Sequence, residues 1–474
     1  MQARPISPLP NRRELARMKI LLTCHQFLPD YATGTEILTF NTAKALQALG
    51  CEVSILTGFP SKPTADDFSR FDSYEYEGIP VERFHQGSQS VTGEQTNLTE
   101  REYNDTAFAT CFREYLKKTK PDLVHFFHLA RLSASAIDVC HELRIPMAFT
   151  PTDFWSVCPT VQLRLPDGTM CNGPDKNSVN CLRHFVALTQ SREINALTRR
   201  LPDWALNLAV SSIKAGFLDS YQKARTVRAL SSRHDFLVRR LNLIDKLIVP
   251  SRLMGNVLER NGVDRHKMVF HRYGISVRSI PSKKSRGLEP RLRVGFIGTL
   301  IEHKGPHILV DAVKSLPRSI ALDVQIFGNP GPPQSQYIGR LKAAASGDDR
   351  IVLRGKFPNS EIGNVMAELD VLVVPSLWHE NTPLVIYSAQ AAGCPVIASK
   401  VAGMEEVVQH GKNGLLFELG NVQALAALIQ ELAQDRSKLI RLASEAPQPK
   451  SISTYVEELI YIYDEVLDAR REEV

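Results

Sequence analysis

No apolar run in the 474-residue chain approaches the roughly 20 residues a membrane-spanning helix needs, so spanning helices are excluded from the reading. The opening segment MQARPISPLPNRRELAR has arginines but no apolar centre behind them, unlike a secretory leader, and residence in the cytoplasm is expected. The first strand-like segment is not followed by Gly-x-Gly-x-x-Gly, which disfavours a dinucleotide dehydrogenase. Nor is there a dense basic track with interleaved aromatics: the net charge is only +6, aromatics make up 7%, and nucleic acid is not an expected partner. Cysteine is scarce, with 8 in the chain. What remains, 43% hydrophobic and 23% charged residues, is the composition of a soluble globular protein. The length suits two domains, since single cores stop growing near about 250–300 residues.

Residues 370–406, DVLVVPSLWHENTPLVIYSAQAAGCPVIASKVAGMEE, carry the densest signal. The run Val371 to Val374 is short, β-branched and stopped by Pro375, whereas Leu384 to Ala392 has no turn residue until Gly393. This spacing predicts a strand, a loop, a helix and a further strand. Thr382 before Pro383 reads as an N-cap followed by proline at the first helical position. The free amides of that helix suit an anion, and Glu380 beside them suits hydroxyl groups. Together they describe a sugar nucleotide. The stretch PSLWHENTPLVIYSAQAAGCPVIAS resembles the signature of the family 4 retaining glycosyltransferases, enzymes of the GT-B fold. The resemblance implies that Glu380 contacts hydroxyls of the donor sugar, with Asn381, Thr382 and Leu384 at the same site. At the position of the family's second glutamate, which holds the nucleotide ribose, this chain has Ser388.

Taken in order, MKILLTCHQFLPDYATGTEILTFNTAKALQALGCEVSILT predicts a strand at Ile20 to Thr23, a helix from Thr35 to Leu49 stopped by Gly50, and a strand at Val53 to Thr57. This opening βαβ unit is similar to the family's first, whose loop has a Gly-Gly pair. Here the pair is Thr33 and Gly34, leaving Gly34 for positive φ or close approach of the donor. Strands follow near Glu75 and Val81, then a helix over 99–118, and strands at Leu123 to Phe127 and Met147 to Thr150, so a parallel sheet is expected. The loop after Thr150 falls at the carboxyl end of a strand, where open α/β sheets bind ligands. Many family members have His-Asp there; this chain keeps Asp153 and has Thr152 in place of the histidine.

Cys158, Cys171 and Cys181 fall within 24 positions of a loop rich in proline and glycine, with His184 three residues further on. Disulfides are unusual in the cytoplasm, so clustered thiols point to metal. Three thiolates and an imidazole complete a tetrahedral structural zinc site; an iron–sulfur cluster and metal-free thiols stay open as alternatives. Cys24, Cys51, Cys111, Cys140 and Cys394 sit in apolar patterns and read as buried thiols. Residues 182–240 have apolar residues at helical spacing and 11 Lys+Arg against 4 Asp+Glu, an excess of seven. Such helices either touch an anionic membrane surface peripherally or form a solvated face.

The second half opens with RVGFIGTLIEHKGPHILVDAVKSL, where a strand at Arg293 to Ile297 leads into a loop with Gly298, Thr299, Lys304 and Gly305. The resemblance makes Lys304 the lysine that neutralises the donor diphosphate; the arginine often five positions earlier is Thr299 here. The expected architecture is GT-B, two Rossmann-like α/β domains facing a central cleft. Residues 18–277 form an acceptor-side domain with a Cys-rich loop 155–184 and a helical insertion 185–240, completed by a C-terminal helix 453–474. A linker at 278–292 joins it to a nucleotide-sugar-binding domain at 293–452. The implied activity is transfer of a sugar from a nucleoside-diphosphate sugar to a glycan or lipid-linked acceptor, with retention and no cofactor required for catalysis. The missing glutamate, arginine and histidine leave a non-catalytic binding protein of the same fold as the alternative.

Overall fold

The computed structural model describes residues 18–60, 70–86, 97–165, 167–218, 220–276, 290–329 and 336–472. The opening segment 1–17 and most of the expected linker, 278–289, lie outside these residues. The chain divides into two compact units, Met1–Arg272 with Ile452–Val474, and Tyr273–Ser451.

The first unit is built on eight strands: β1 (Lys19–Cys24), β2 (Glu52–Phe59), β3 (Phe71–Tyr76), β4 (Ile79–His85), β5 (Leu123–Phe126), β6 (Met147–Phe149), β7 (Lys246–Val249) and β8 (Met268–Phe270). Their order is β3-β4-β2-β1-β5-β6-β7-β8. All neighbours run parallel except the β3/β4 hairpin. The chain steps from β1 outward to β2, then returns to β1's other side with β5. The β1/β5 edge is therefore a topological switch point, where crossovers leave in opposite directions and a crevice opens at the strands' carboxyl ends.

The second unit repeats the plan with six parallel strands: β9 (Leu292–Ile297), β10 (Leu322–Phe327), β11 (Ile351–Gly355), β12 (Val371–Val374), β13 (Val396–Ser399) and β14 (Gly414–Phe417). The order β11-β10-β9-β12-β13-β14 places its switch point between β9 and β12. Every residue of β12 and β13 is buried, as expected of strands with helices on both faces. Val294, Val324 and Val373 meet Leu309, Val313 and Ile429 in one continuous core.

The C-terminal helix Ile452–Glu472 belongs to the first unit and buries Tyr455, Val456, Leu459, Ile460 and Tyr463. Its Tyr463 hydroxyl lies 2.6 Å from Nδ1 of the fully buried His125, whose Nε2 is 2.8 Å from Thr150 Oγ1. The expected single helix over 99–118 is instead two, Leu98–Arg101 and Thr106–Thr119. Asp105 separates them because its side chain accepts from the Phe108 amide at 2.9 Å, and an N-cap outweighs helix continuation at that point. Cys111 is half-buried; the other four thiols read as core residues, Cys24, Cys51, Cys140 and Cys394, are buried and free.

Candidate active site

Lys304 and Glu380 follow β9 and β12, the two strands of the second unit's switch point. Lys304 stands on a 3-10 turn, Glu302–Lys304, and its Nζ donates to Glu380 Oε1 at 2.7 Å. Ser376 Oγ and Trp378 Nε1 donate to the same oxygen, also at 2.7 Å. Burial alone would raise the Glu380 carboxyl, which is 5% exposed, but the Lys304 charge and these three hydrogen bonds outweigh it and hold the group below the usual carboxylate range. The ammonium also sits 4.8 Å from the centre of the Trp378 ring. Two glycines let the loops close on this pair. Gly305, at φ 71°, has no room for a Cβ, which would fall 2.0 Å from the Pro375 carbonyl oxygen. A Cβ on Gly403 would fall 1.6 Å from the Glu380 carbonyl oxygen.

The remaining donor-side residues are deployed differently from the expectation. The helix is Leu384–Ala391 and its N-cap is Pro383, in extended conformation at φ −69° and ψ 112°. Thr382 does not cap it; its hydroxyl donates to the Asn381 carbonyl at 2.6 Å, because the extended proline carries the threonine out of reach of the first amides. The Ser388 hydroxyl donates to the Leu384 carbonyl at 3.2 Å, a bond within its own helix. Gly298 donates its amide to Phe327, and the Thr299 carbonyl accepts from Ile301 at 2.9 Å. Asn381 is buried over Gly403, while Leu384 opens the helix half-buried.

At the first unit's switch point, four polar side chains gather from loops after β1, β5 and β6 and from the helix Gly34–Leu49. Glu36, 0% exposed, reaches back to the Thr33 amide at 2.7 Å, closing a capping box. Its Oε1 has no hydrogen-bond partner among the described residues and lies 3.6 Å from Nε2 of His25. The His25 ring packs on His128 with centroids 4.2 Å apart, and burial, then the charges of His128 and Arg131, hold its pKa well below the usual value. His128 Nδ1 accepts from the Ala130 amide at 3.1 Å, which leaves Nε2 to face Asp153 Oδ2 at 2.8 Å. The other Asp153 oxygen accepts from the Trp155 amide at 2.9 Å. Asp153 thus has a histidine partner after all, supplied by β5 rather than by residue 152. Thr152 instead accepts from Thr35 at 2.9 Å, tying the β6 loop to the helix start. Gly34 keeps an ordinary φ, and a Cβ there would meet nothing within 4 Å, so neither backbone conformation nor packing demands glycine; it leaves the helix N-terminus open to approach.

Cys158, Cys171, Cys181 and His184 line one cavity of about 390 Å³ in the first unit. Burial, then the neighbouring Cys158 and Cys171, push the Cys181 thiol up to about 12, and burial lowers His184. Among the described residues, the group that brings three such donor atoms within 4.8 Å of one another is Cys24, His25 and Glu36, so the loop's four donors ring a wider space than one ion occupies. Sequence patterns missed His25, Glu36, His128, Ser376 and Trp378. The first and third are among the first polar side chains after β1 and β5, a position in which a parallel sheet presents ligand-binding residues.

A family model described as glycosyl transferases group 1 matches residues 280–448, and one described as glycosyltransferase family 4 matches residues 32–192. Among curated proteins, the amylovoran biosynthesis glycosyltransferase AmsK of Erwinia amylovora is 31% identical over 211 residues, 42% of this chain and 51% of AmsK. The D-inositol 3-phosphate glycosyltransferase of Corynebacterium glutamicum is 35% identical over 158 residues, 32% of this chain and 38% of that protein. The chain therefore spans about half or less of the length of these curated relatives. Anabaena HepE, solved in complex with UDP and glucose, aligns with a TM-score of 0.61 at 19% identity, over 94% of this chain and 99% of HepE. Sucrose-phosphate synthase of Thermosynechococcus elongatus aligns at 0.63 with 18% identity, over 96% and 100%. At such identities the likeness establishes the fold, GT-B.

Proposed function

We propose, from the premise that this chain belongs to the group 1 glycosyltransferases of family 4, that it moves a sugar from a nucleoside diphosphate to a hydroxyl of a glycan or lipid-linked acceptor, with retention of configuration. The observation that carries the reading is the Lys304–Glu380 pair at 2.7 Å on the second unit's switch point. A donor diphosphate competes with Glu380 for the Lys304 ammonium. When it wins, the carboxylate is released from its cation and accepts the hydroxyls of the sugar. Negative charge develops on the leaving diphosphate, and its stabilisation is the chief electrostatic task. We assign that task to Lys304 and to the amides opening the helix Leu384–Ala391. The leaving phosphate takes the acceptor's proton, so no separate base is invoked. Two similar proteins agree with a nucleotide-sugar donor and a biosynthetic role: HepE was solved with UDP-glucose, and AmsK is named as a glycosyltransferase of amylovoran biosynthesis. A role in polysaccharide or glycoconjugate biosynthesis follows as part of the proposal.

The acceptor side favours a peripheral membrane contact. Among the described residues, nine of thirteen exposed large apolar side chains fall between Leu188 and Tyr221, including Leu197, Trp204, Leu208 and Phe217. They share this region with Arg199, Arg200 and Lys214, and Lys223 lies just beyond it, a combination of apolar and basic side chains that seats helices in an anionic lipid surface. No described helix is long and apolar enough to cross a membrane. Co-sedimentation with anionic but not zwitterionic vesicles, lost at high salt or in a Trp204→Ala/Leu208→Ala variant, is the expected result; equal recovery with both vesicle types would end the membrane reading.

Acceptor-dependent release of nucleoside diphosphate from a panel of nucleotide sugars tests the activity. Ser388, whose hydroxyl is spent within its helix, favours one competing reading, a binding protein without turnover. That reading expects a nucleotide-induced thermal shift with no release.

A further inference from the structure

We propose that the cavity under the loop 155–184 holds a thiophilic metal centre, ligated by the thiolates of Cys158, Cys171 and Cys181 and by the imidazole of His184. All four side chains line that cavity, although they come from three separate places in the chain: the loop's start, its far turn and the helix Val179–Thr189. Among the described residues of the loop, strand-like pairing is confined to the Arg164–Met170 bridge and the flanking bonds from the Leu165 amide to Thr169 and the Cys171 amide to Leu163. Val161 and Leu163 hold φ of 69° and 48°, a conformation that bulky and β-branched residues avoid unless their surroundings impose it. A metal bridging the two ends of the loop is such an imposition, and it supplies the cross-link that a segment without its own core lacks.

Two further observations point at the ligands. Cys171 Sγ accepts from the amide of Gly173 at 3.4 Å, and Asn180 Nδ2 approaches the same sulfur at 3.9 Å. The Cys171 thiol in turn donates to the Gly173 carbonyl at 3.5 Å; as a thiolate, the form that binds metal, it would keep the Gly173 amide and Asn180 as its donors. Gly173, at φ 111°, makes that turn available. Arg233, 2% exposed, lines the same cavity. Its Nε donates to Glu102 at 3.1 Å and its Nη2 to the Trp155 carbonyl at 2.7 Å, but Nη1 has no hydrogen-bond partner among the described residues. Three thiolates and a neutral imidazole around a divalent ion sum to one net negative charge. Arg233 is already paired with Glu102 at 3.1 Å, and its spare Nη1 offers that charge a hydrogen bond from a buried cation.

The shared chemistry is that of a soft cation on thiolates, which a zinc ion and an iron–sulfur cluster both satisfy. Zinc would require the donors to close to sulfur distances of about 2.3 Å, nearer than they now stand; an iron–sulfur cluster spans ligands set farther apart. In either case the centre would brace Trp155 through Arg233, which lines the cavity and donates to the Trp155 carbonyl; the Trp155 indole donates to Glu102 and its amide to Asp153. The metal thus acts as a staple beneath the acceptor-side loop and takes no part in the transfer itself.

The test uses the whole chain, carrying no histidine tag, purified in air and again without oxygen, with zinc, iron and acid-labile sulfide measured against protein. Zinc near one per chain without sulfide, or iron with matching sulfide and visible absorption, supports the centre and says which it is. Neither metal in either preparation, with none retained after reconstitution, overturns it. Because Cys→Ser variants can fail to fold, the fourth ligand is tested by His184→Cys on cobalt-substituted protein. A stronger thiolate-to-cobalt charge-transfer band supports His184 as ligand; an unchanged spectrum removes it.

Discussion

The two switch points solve different electrostatic problems with the same sheet topology. In the second unit a full positive and a full negative charge sit 2.7 Å apart, with Ser376 and Trp378 adding donors to the carboxylate. In the first unit, His25, held well below its usual pKa chiefly by burial, stacks on His128; His25 faces the buried Glu36 at 3.6 Å and His128 faces Asp153 at 2.8 Å. A charged pair is suited to being split by a charged ligand such as a diphosphate, since each partner finds a replacement in it. Imidazoles and carboxylates without a nearby ammonium are suited to hydroxyls, which need directional hydrogen bonds and bring no charge. Under the proposed function, the difference suits an anionic ligand to one sheet and a polyol to the other.

Breaking the charged pair should have the largest effect. Lys304→Ala is expected to lower kcat by about 10²–10³-fold, the usual result of removing one donor to a developing anion. It also leaves the Glu380 carboxylate buried without its cation. Removing one partner of a fully buried pair costs about 3–5 kcal/mol; here the ammonium is 27% exposed, so a loss of about 1–3 kcal/mol is the discounted figure. Adding Glu380→Gln should restore part of that stability without recovering the lost turnover. Strictly additive losses in denaturant melts of the two single variants and the double variant would show that the pair is not coupled.

Acid should separate the units next. Burial pushes His125 down to about 3, and His25 and His234, also in the first unit, are lowered mainly by burial. A histidine with a depressed folded pKa binds fewer protons folded than unfolded, so its contribution is complete above the ordinary value near 6.5 and is lost as pH falls below it. Each such group costs about 1.4 kcal/mol per pH unit over that window. The Glu380 carboxyl is also depressed, but its loss begins only below the ordinary carboxylate range, near 4.5. Calorimetry from pH 7 to 5 should therefore lower the first unit's transition and leave the second's nearly in place. A second unit that melts first on acidification would contradict this assignment of charge states.

A smaller effect is expected from Asp153→Asn, which keeps the shape of the His128 contact but removes its charge. The acceptor's kcat/KM should fall roughly tenfold, the scale of one charge-assisted hydrogen bond, while the donor-induced thermal shift stays unchanged. Equal losses for donor and acceptor would erase the distinction between the two sheets.

Lys304 and Glu380 were legible in the sequence because each is a charged residue in a loop directly after an apolar strand, and Glu380 lies inside a contiguous signature. His25, Glu36, His128 and Asp153 are spread over 129 positions in four segments. No spacing rule links them, since it is the β2-β1-β5-β6 order that brings their loops together. The strands β1, β5 and β12 were readable from apolar runs to within one residue, because burial on both faces leaves little choice of residue type. Helix ends were not, where a local hydrogen bond competes: Asp105 splits one predicted helix, and Thr382 turns to its neighbour's carbonyl instead of capping the next.

Ser388 offers the finest test, because its expected effect is close to nothing. The resemblance put a ribose-holding group at this position, yet the hydroxyl is spent on the Leu384 carbonyl one helical turn back at 3.2 Å. A serine bonded within its own helix contributes little to that helix, and alanine is the better helix former by a few tenths of a kcal/mol. Ser388→Ala should therefore leave the donor KM within about twofold, a change of under about 0.5 kcal/mol, and should leave stability equal or slightly higher. A tenfold rise in donor KM would mean that the hydroxyl leaves Leu384 when the nucleotide binds and takes hold of the ribose. The donor side would then resemble the acceptor side in relying on a neutral hydrogen bond at one point. An unchanged KM would leave Lys304 and Glu380 as the groups that distinguish the second unit's switch point from the first's.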